Sequence, residues 1–120
     1  MKEHVLVLGA SPDPAKRVHK VCRRLVEKGH RIRPVGIRKG KIENTPIITD
    51  DRAPEAVDSV VIYLRAERQR QWIPYILASK PRRIIFNPGA ENEELARIAK
   101  TKGIDILNEC TALMLSSNRF

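Results

Sequence analysis

The sequence predicts an α/β fold: a doubly wound, mostly parallel sheet with helices on both faces, in three layers. Apolar blocks alternate along the whole chain between a strand-like period of two and a helix-like period of 3.6. The connections between these blocks are short. The run SVVIYL, residues 59–64, is apolar throughout, which is typical of a strand buried on both faces of a parallel sheet.

The first half of the chain is predicted to hold one long helix. Asp13 as N-cap and Pro14 at the first helical position would begin it, and Gly29 would end it. Its apolar positions fall on one face and include Cys22, which assigns this thiol to the core. Strands are predicted in the same half at residues 4–8, 31–37 and 45–49, the last one short and peripheral.

The second half is predicted to alternate strands and helices. Strands are expected at residues 59–64, 82–86 and 104–107, and helices at residues 66–78, 92–102 and 110–115. Pro74 must kink the first of these helices or divide it in two, because proline lacks the backbone N–H that a helix interior needs. Gly103 is well placed to end the second helix.

Length and composition limit what the chain can be. With 120 residues and 42% hydrophobic content, we expect a single domain spanning residues 1–120. No apolar run approaches the roughly 18 residues that cross a bilayer, and too few apolar residues precede Gly9 for a signal peptide. Two cysteines, Cys22 and Cys110, are fewer than a disulfide-stapled secreted domain normally carries. These features favour a soluble cytoplasmic protein with no membrane partner.

Positive charge is concentrated in one part of the chain. The net charge is +9, and the segment from Lys16 to Lys41 contains eleven Lys or Arg residues but one acid, Glu27. A solvated helix face would explain this charge without any ligand. The position of this charge around the first turn and the second strand favours an anionic partner instead.

Three segments are predicted to meet at the carboxyl edge of the sheet, where doubly wound proteins bind their ligands. They are residues 9–17, 36–41 and 87–92. Leu64 and Arg65, at the end of the fourth predicted strand, are assigned to the same site.

The first segment suits a phosphate. Gly9 lets the backbone turn sharply and approach a ligand, and the helix that follows offers unpaired N–H groups. Ser11 adds a hydroxyl donor. Lys16 and Arg17 lie near the positive end of the helix dipole, where cations are unfavourable, so their presence suggests that an anion binds there.

The second segment distinguishes between cofactors. An NAD site would carry an acidic residue about 20 residues after the glycine turn, to hold the ribose hydroxyl. The equivalent positions of this chain, after the second strand, are Gly36, Ile37, Arg38 and Lys39. Cations in place of an acid favour a ribose with an extra phosphate, which is found in NADP and in coenzyme A (CoA).

The third segment, NPGAEN at residues 87–92, favours CoA of these two. It offers no general acid or base placed for hydride or proton transfer, whereas the amides of Asn87 and Asn92 suit the amide-bearing pantetheine arm. A purely structural role is the alternative, in which Pro88 and Gly89 form an αL or type II turn.

The segments VLVLGASPDPAKRVHKVCRRLVEKGHRIRPVG and NPGAENEELARIAKTKGIDILNECTALML resemble the small stand-alone CoA-binding domain proteins of bacteria and archaea. These proteins are related to the domain that begins the succinyl-CoA synthetase α subunit. The resemblance implies a Rossmann-like CoA-binding fold, with the diphosphate at Gly9, Ala10, Ser11 and Lys16. It also implies that the adenosine end lies at the loop after Val35. Family members commonly have Pro-Val-Asn-Pro where this chain has PVGI, and Arg38 is a candidate partner for the 3′-phosphate.

We therefore expect a module that binds CoA or an acyl-CoA, to sense or deliver it, without catalysis of its own. No Ser/His/Asp, Cys/His or paired-carboxylate set stands out, and ligases with this domain keep their phosphorylated histidine in further domains. The candidate cofactor-binding residues are Gly9, Ala10, Ser11, Lys16, Arg17, Val35, Gly36, Ile37, Arg38, Leu64, Arg65, Asn87, Pro88, Gly89, Ala90 and Asn92.

The sequence also allows two other functions. An NADP-type nucleotide-binding protein is one alternative, and a nucleic-acid-binding protein that uses residues 16–41 is another. The second lacks aromatic support, because only Trp72 and Tyr75 among five aromatic residues lie close together. The histidines and cysteines show no zinc-site spacing, so no metal is expected. For Cys110 a mixed disulfide with CoA is a hypothesis beside that of an inert core thiol.

Overall fold

Five parallel strands form the central sheet of the computed structural model, which describes residues 2–50 and 54–120. The strands in these ranges are β1 (His4–Leu8), β2 (Arg31–Val35), β3 (Lys41–Ile42), β4 (Thr45–Pro46), β5 (Ser59–Ile62), β6 (Arg83–Phe86) and β7 (Asp105–Asn108). The helices are α1 (Arg17–Glu27), α2 (Ala66–Gln69), α3 (Ile73–Ala78), α4 (Glu93–Thr101) and α5 (Thr111–Ser116), with a 3₁₀ turn at Arg70–Trp72 between α2 and α3.

The central sheet has the order β2-β1-β5-β6-β7, and all of its neighbouring strands are parallel. Strand order therefore reverses between β1 and β5, since the chain moves outward from β1 in one direction and from β5 in the other. Leu8 at the end of β1 pairs with Val35 of β2 and with Ile62 of β5. The residues that follow these three strands consequently lie side by side at one edge.

Both faces of the sheet are covered, which confirms the predicted α/β class. Val5 and Val7 of β1 pack in one core cluster with α1 and α5. Leu6 and Leu8 point to the other side and pack with α3 and α4. Cys22, on the inner face of α1, is completely buried, as predicted. No helix in the two described ranges is long and apolar enough to cross a membrane.

Helix α1 begins later than the sequence predicts. Asp13 accepts a bond from the Ala15 N–H through its side chain, at 2.9 Å, and from the Lys16 N–H through its carbonyl, at 3.0 Å. Residues 13–16 thus form a separate turn, after which Lys16 is extended and serves as the N-cap. The prediction that Asp13 caps the helix is therefore wrong. Gly29, with φ at +91°, follows the C-cap residue as expected.

The predicted third strand at residues 45–49 is a small hairpin instead. Strands β3 and β4 pair in antiparallel fashion, and Glu43 and Asn44 between them both have positive φ. Positive φ at both central residues is the geometry of a two-residue hairpin turn. Ile48 then forms a parallel bridge to Val35, which covers the outer edge of β2.

The predicted helix at residues 66–78 is divided, as Pro74 requires. The 3₁₀ turn separates α2 from α3, and Pro74 occupies an N-terminal position of α3, where a missing N–H costs nothing. The break sets Trp72 between the two helices.

Candidate functional site

The turn after β1 is tied directly to the end of β2. The N–H groups of Gly9 and Ala10 both donate to the Val35 carbonyl, each at 2.9 Å. Gly9 has φ at +90°, a conformation that glycine adopts without strain. The first and second predicted segments are therefore neighbours.

The loop from Ser11 to Asp13 is held by side chains of the same region. The Ser11 oxygen Oγ accepts a bond from the Asp13 N–H at 3.1 Å, and Nδ1 of the buried His19 lies 2.9 Å from the Ser11 carbonyl. A serine hydroxyl that accepts one bond can still donate its own hydrogen. Ser11 is thus fixed in place and can donate to a ligand.

A cavity of about 490 Å³, here called the first cavity, opens between these segments at the switch point of the sheet. Small-molecule sites in proteins commonly have this size. Its lining residues are Leu8, Gly9, Ala10, Ser11, Lys16, Arg17, Val18, Val35, Gly36, Ile37, Arg38, Tyr63, Leu64, Arg68 and Trp72.

The first cavity combines an apolar wall with four cationic side chains. Lys16, Arg17, Arg38 and Arg68 are all exposed. None of the four has a carboxylate within 4.0 Å among residues 2–50 and 54–120. Their charges are therefore free to interact with an anionic ligand, and the first turn of α1 adds its own positive end.

A second cavity, also of about 490 Å³, lies on the other side of the start of α1. It shares Lys16, Arg17 and Tyr63 with the first cavity. Its further lining residues are Ala15, Lys20, Asn87, Pro88 and Cys110. The two cavities thus flank one cationic helix terminus, and one elongated ligand could extend through both.

Four predicted site residues line neither cavity: Arg65, Gly89, Ala90 and Asn92. Arg65 is exposed and pairs with Glu67, with 3.4 Å between Nε and Oε1. Residues 87–90 form a turn closed by a bond from the Ala90 N–H to the Asn87 carbonyl, and Gly89 has φ at +93°. A positive φ at the third residue is typical of a type II turn, which is the purely structural role that the sequence also predicts for Pro88 and Gly89.

The two predicted asparagine amides have partners within the protein. Asn87 donates from Nδ2 to the Ile62 carbonyl at 3.1 Å and accepts from the Thr111 N–H at 2.8 Å. Asn92 caps α4 by accepting from the Leu95 N–H at 3.1 Å, and its Nδ2 donates to Gln69 at 3.0 Å. Both amides hold the loops at the sheet edge together.

Sequence reasoning missed Tyr63, Arg68 and Trp72, which line the first cavity. Tyr63 directly follows β5, the strand at the switch point. Arg68 and Trp72 are four residues apart, the spacing at which side chains share one face of a helix. That spacing, combined with the place of β5 in the sheet, is the signal that could have identified them.

Two side chains in this part of the protein, Cys22 of α1 and Tyr63 after β5, have raised pKa values. Burial raises the pKa of the Cys22 thiol to about 12, whereas Cys110 is half-buried and lines the second cavity. Burial also raises the pKa of the Tyr63 phenol, and the nearby Thr111 hydroxyl offsets only part of that effect. Within the described ranges neither hydroxyl makes a hydrogen bond of ordinary geometry.

Comparison with known proteins identifies the family and the fold of this chain. The model of a protein family described as "CoA binding domain" matches residues 3–116. An uncharacterized protein of known crystal structure is 39% identical, with a TM-score of 0.95 over 100% of this chain and 99% of that chain. No curated protein matches.

Two more distant structures share the fold. A Thermus thermophilus protein is 23% identical, with a TM-score of 0.86 over 99% of this chain and 91% of its own. A hypothetical protein from Pyrococcus horikoshii OT3 is 18% identical, with a TM-score of 0.83 over 94% of this chain and 81% of its own.

Proposed function

Because this chain belongs to the CoA-binding domain family, we propose that it binds coenzyme A or an acyl-CoA with the nucleotide part in the first cavity. The observation that carries this proposal is the set of four cationic side chains around a largely apolar cavity, none of which pairs with a carboxylate among the residues that the structure describes. A ligand that combines several phosphates with an adenine and a pantetheine arm fits both properties.

The diphosphate would lie against the turn at Gly9, Ala10 and Ser11. The N–H groups of Gly9 and Ala10 already donate to the Val35 carbonyl, so the Ser11 hydroxyl and the N–H groups at the start of α1 would bind the phosphate oxygens. Lys16 and Arg17 line both cavities and would neutralise its charge.

The 3′-phosphate of the ribose would be held by Arg38. This side chain follows the end of β2, lines the first cavity and is exposed. The guanidinium group suits phosphate because it donates two parallel bonds from one rigid plane. No acid lines the first cavity within the described ranges, so a ribose with two free hydroxyls would find no carboxylate partner there.

We propose a role in holding or delivering the ligand, without catalysis. Among residues 2–50 and 54–120, no His, Asp or Glu lines the first or second cavity. General acid–base chemistry on a thioester would need such a group within hydrogen-bond reach. A cytoplasmic location is proposed with it, on the ground that both cysteines are free thiols.

Titration calorimetry with CoA, dephospho-CoA and NADP tests the proposal. Wild-type protein should bind CoA more tightly than the other two. Lys16→Ala and Arg17→Ala should each weaken CoA and dephospho-CoA alike by about tenfold, since both ligands carry the diphosphate. Arg65→Ala is the matched control, because this arginine is exposed and lies outside both cavities.

Arg38→Ala should behave differently from the other variants. It should weaken CoA by about tenfold and leave dephospho-CoA unchanged, because only CoA carries the 3′-phosphate. Equal losses for the two ligands would contradict the role of Arg38. Absence of CoA binding by the wild type, with salt-dependent binding to DNA, would replace the proposal with the nucleic-acid alternative.

A further inference from the structure

A smaller cavity lies at the opposite edge of the sheet, beside the residues that begin β1 and β2. Its volume is about 310 Å³, and we call it the amino-edge cavity. Its lining residues are Lys2, Lys28, His30, Leu115, Asn118 and Phe120. None of these residues lines the first or second cavity, so the proposed function does not account for them.

Two lysine ammonium groups at this cavity have only neutral partners. Nζ of Lys2 donates to the Lys28 carbonyl, and Nζ of Lys28 lies 3.4 Å from Oδ1 of Asn118. Neither lysine has a carboxylate within 4.0 Å among the residues that the structure describes. The carboxylate of the neighbouring Glu3 lies 3.3 Å from each of two arginines instead. Lysines suit the end of α1 because of its dipole, but a carbonyl and an amide leave most of their charge unneutralised.

His30 adds a hydrogen-bond donor with a fixed orientation. Its Nδ1 accepts from the Glu3 N–H at 2.9 Å, so the neutral ring carries its hydrogen on Nε2. Burial lowers the pKa of His30, which keeps the ring neutral at pH 7.5. In the described part of the chain Nε2 has no hydrogen-bond partner, and its N–H can therefore donate to a ligand.

The remaining wall of the amino-edge cavity is apolar. Leu115 is only 1% exposed, and the Phe120 ring packs at a steep angle on His30, with 5.3 Å between ring centroids. The Arg83 guanidinium lies 4.5 Å from the centroid of the same ring. A ring held by two partners loses little freedom when a ligand packs against it.

We propose that the amino-edge cavity binds a small aromatic carboxylate. The two ammonium groups and the His30 N–H would bind the carboxylate oxygens, and the ring of the ligand would lie against Leu115 and Phe120. No acid lines the cavity within the described ranges, which favours an anion. The apolar wall favours an organic anion over an inorganic one, because an inorganic anion would leave that wall in contact with water.

NMR of the histidine ring signals at pH 7.5 tests this proposal, with benzoate as the probe. Benzoate should shift the His30 signals in a saturable way and leave those of the buried His19, at the other edge of the sheet, unchanged. Benzyl alcohol lacks the charge and inorganic phosphate lacks the ring, so each should shift His30 much less at the same concentration. No response to benzoate, or an equal response to phosphate, would overturn the proposal.

Two variants and a matched control give a second measurement. Lys28→Ala should weaken benzoate binding by about fivefold, the usual effect of losing a partly exposed ion pair. Lys102→Ala is the control, because Lys102 is the C-cap residue of α4 as Lys28 is of α1. Phe120→Leu should also weaken benzoate, since leucine keeps apolar volume but removes the aromatic ring. Thermal melts would show that each variant is folded, and equal benzoate affinity in the Lys28 and Lys102 variants would contradict the proposal.

The proposal is independent of CoA binding. Saturating CoA should leave the benzoate response of His30 unchanged, because the two ligands occupy opposite edges of the sheet. Competition between them would place benzoate at the first or second cavity and overturn the amino-edge site. A wild type that binds benzoate but not CoA would refute the proposed function and leave this site standing.

Discussion

Gly36 lies so close to Ala10 that no side chain fits between them. A Cβ atom at position 36 would stand 2.1 Å from the Ala10 carbonyl oxygen. Together with the bonds from Gly9 and Ala10 to the Val35 carbonyl, this contact joins the glycine turn to the end of β2. The two segments that line the first cavity therefore hold each other in position.

Gly36→Ala is expected to disturb both stability and binding. The new methyl group meets a backbone oxygen, which cannot rotate away, so the two segments must separate. We expect a loss of about 1–3 kcal/mol in unfolding free energy, typical of overpacking, and weaker CoA binding. Urea unfolding and calorimetry measure the two effects.

Gly103→Ala is the control for that variant. Gly103 has φ at +76° and open space around its Cβ position, far along the chain from the first cavity. Alanine there should cost stability through backbone strain alone and leave CoA affinity unchanged. A Gly36→Ala protein with wild-type stability and wild-type affinity would contradict the proposed coupling of the two segments.

Tyr63→Phe is expected to leave the unfolding free energy unchanged or to raise it. The Tyr63 hydroxyl is buried without a hydrogen-bond partner in the described ranges, and removing such a group relieves its desolvation cost. Ser59→Ala is the matched control, because Ser59 donates to Glu3 at 2.6 Å and accepts from Arg83 at 2.7 Å. That variant should lose about 1–3 kcal/mol. A larger loss for Tyr63→Phe than for Ser59→Ala in urea unfolding would show that the phenol has a partner.

The two cysteines should differ in reactivity. Burial raises the pKa of Cys22 to about 12, so at pH 8 the folded protein holds it as an unreactive thiol. Cys110 is half-buried in the second cavity. Iodoacetamide at pH 8 should therefore modify Cys110 alone, as peptide mass spectrometry would show, and Cys22 only after denaturation. CoA should slow the modification if its pantetheine arm enters the second cavity, and rapid labelling of Cys22 in the folded protein would contradict its burial.

Stability should fall in mild acid through His30. Nδ1 of His30 accepts a bond from the Glu3 N–H at 2.9 Å, which a protonated ring cannot do. Burial lowers the pKa of His30 in the folded state, so its contribution is present above the unfolded pKa of 6.5 and is lost as the pH falls through the folded value. The unfolding free energy should be lower at pH 5 than at pH 7.5. In His30→Asn that difference should shrink, and an unchanged difference would assign the acid sensitivity to other groups.

Local signals predicted most of the fold. The apolar runs of β1, β5 and β6 and the glycines at positions 9, 29 and 103 are read from neighbours in sequence, because strand burial and positive φ leave a mark in each segment. The predicted start of α1 was wrong because it, too, was read from neighbouring residues alone. Asp13 and Pro14 have the residue types of a helix start, but the backbone bond from Lys16 to Asp13 closes a separate turn first.

The site was predicted only in part. The glycine turn and the basic loop after β2 could be found from residue types and from the position of each after a strand. Residue type and position also led us to assign Arg65, Asn87 and Asn92 to the ligand. In the structure Arg65 lines neither cavity, and the side-chain amides of Asn87 and Asn92 form hydrogen bonds within the protein.

By itself the sequence determined the parallel α/β sheet, the turn at Gly9 and the concentration of positive charge between residues 16 and 41. Only the tertiary structure decided which side chains share a cavity, with Arg68 and Trp72 in the first cavity and Cys110 in the second. The physical reason is that strand pairing and the packing of α3 against the sheet set these positions. Pairing and packing join residues far apart in the chain, which no local pattern records.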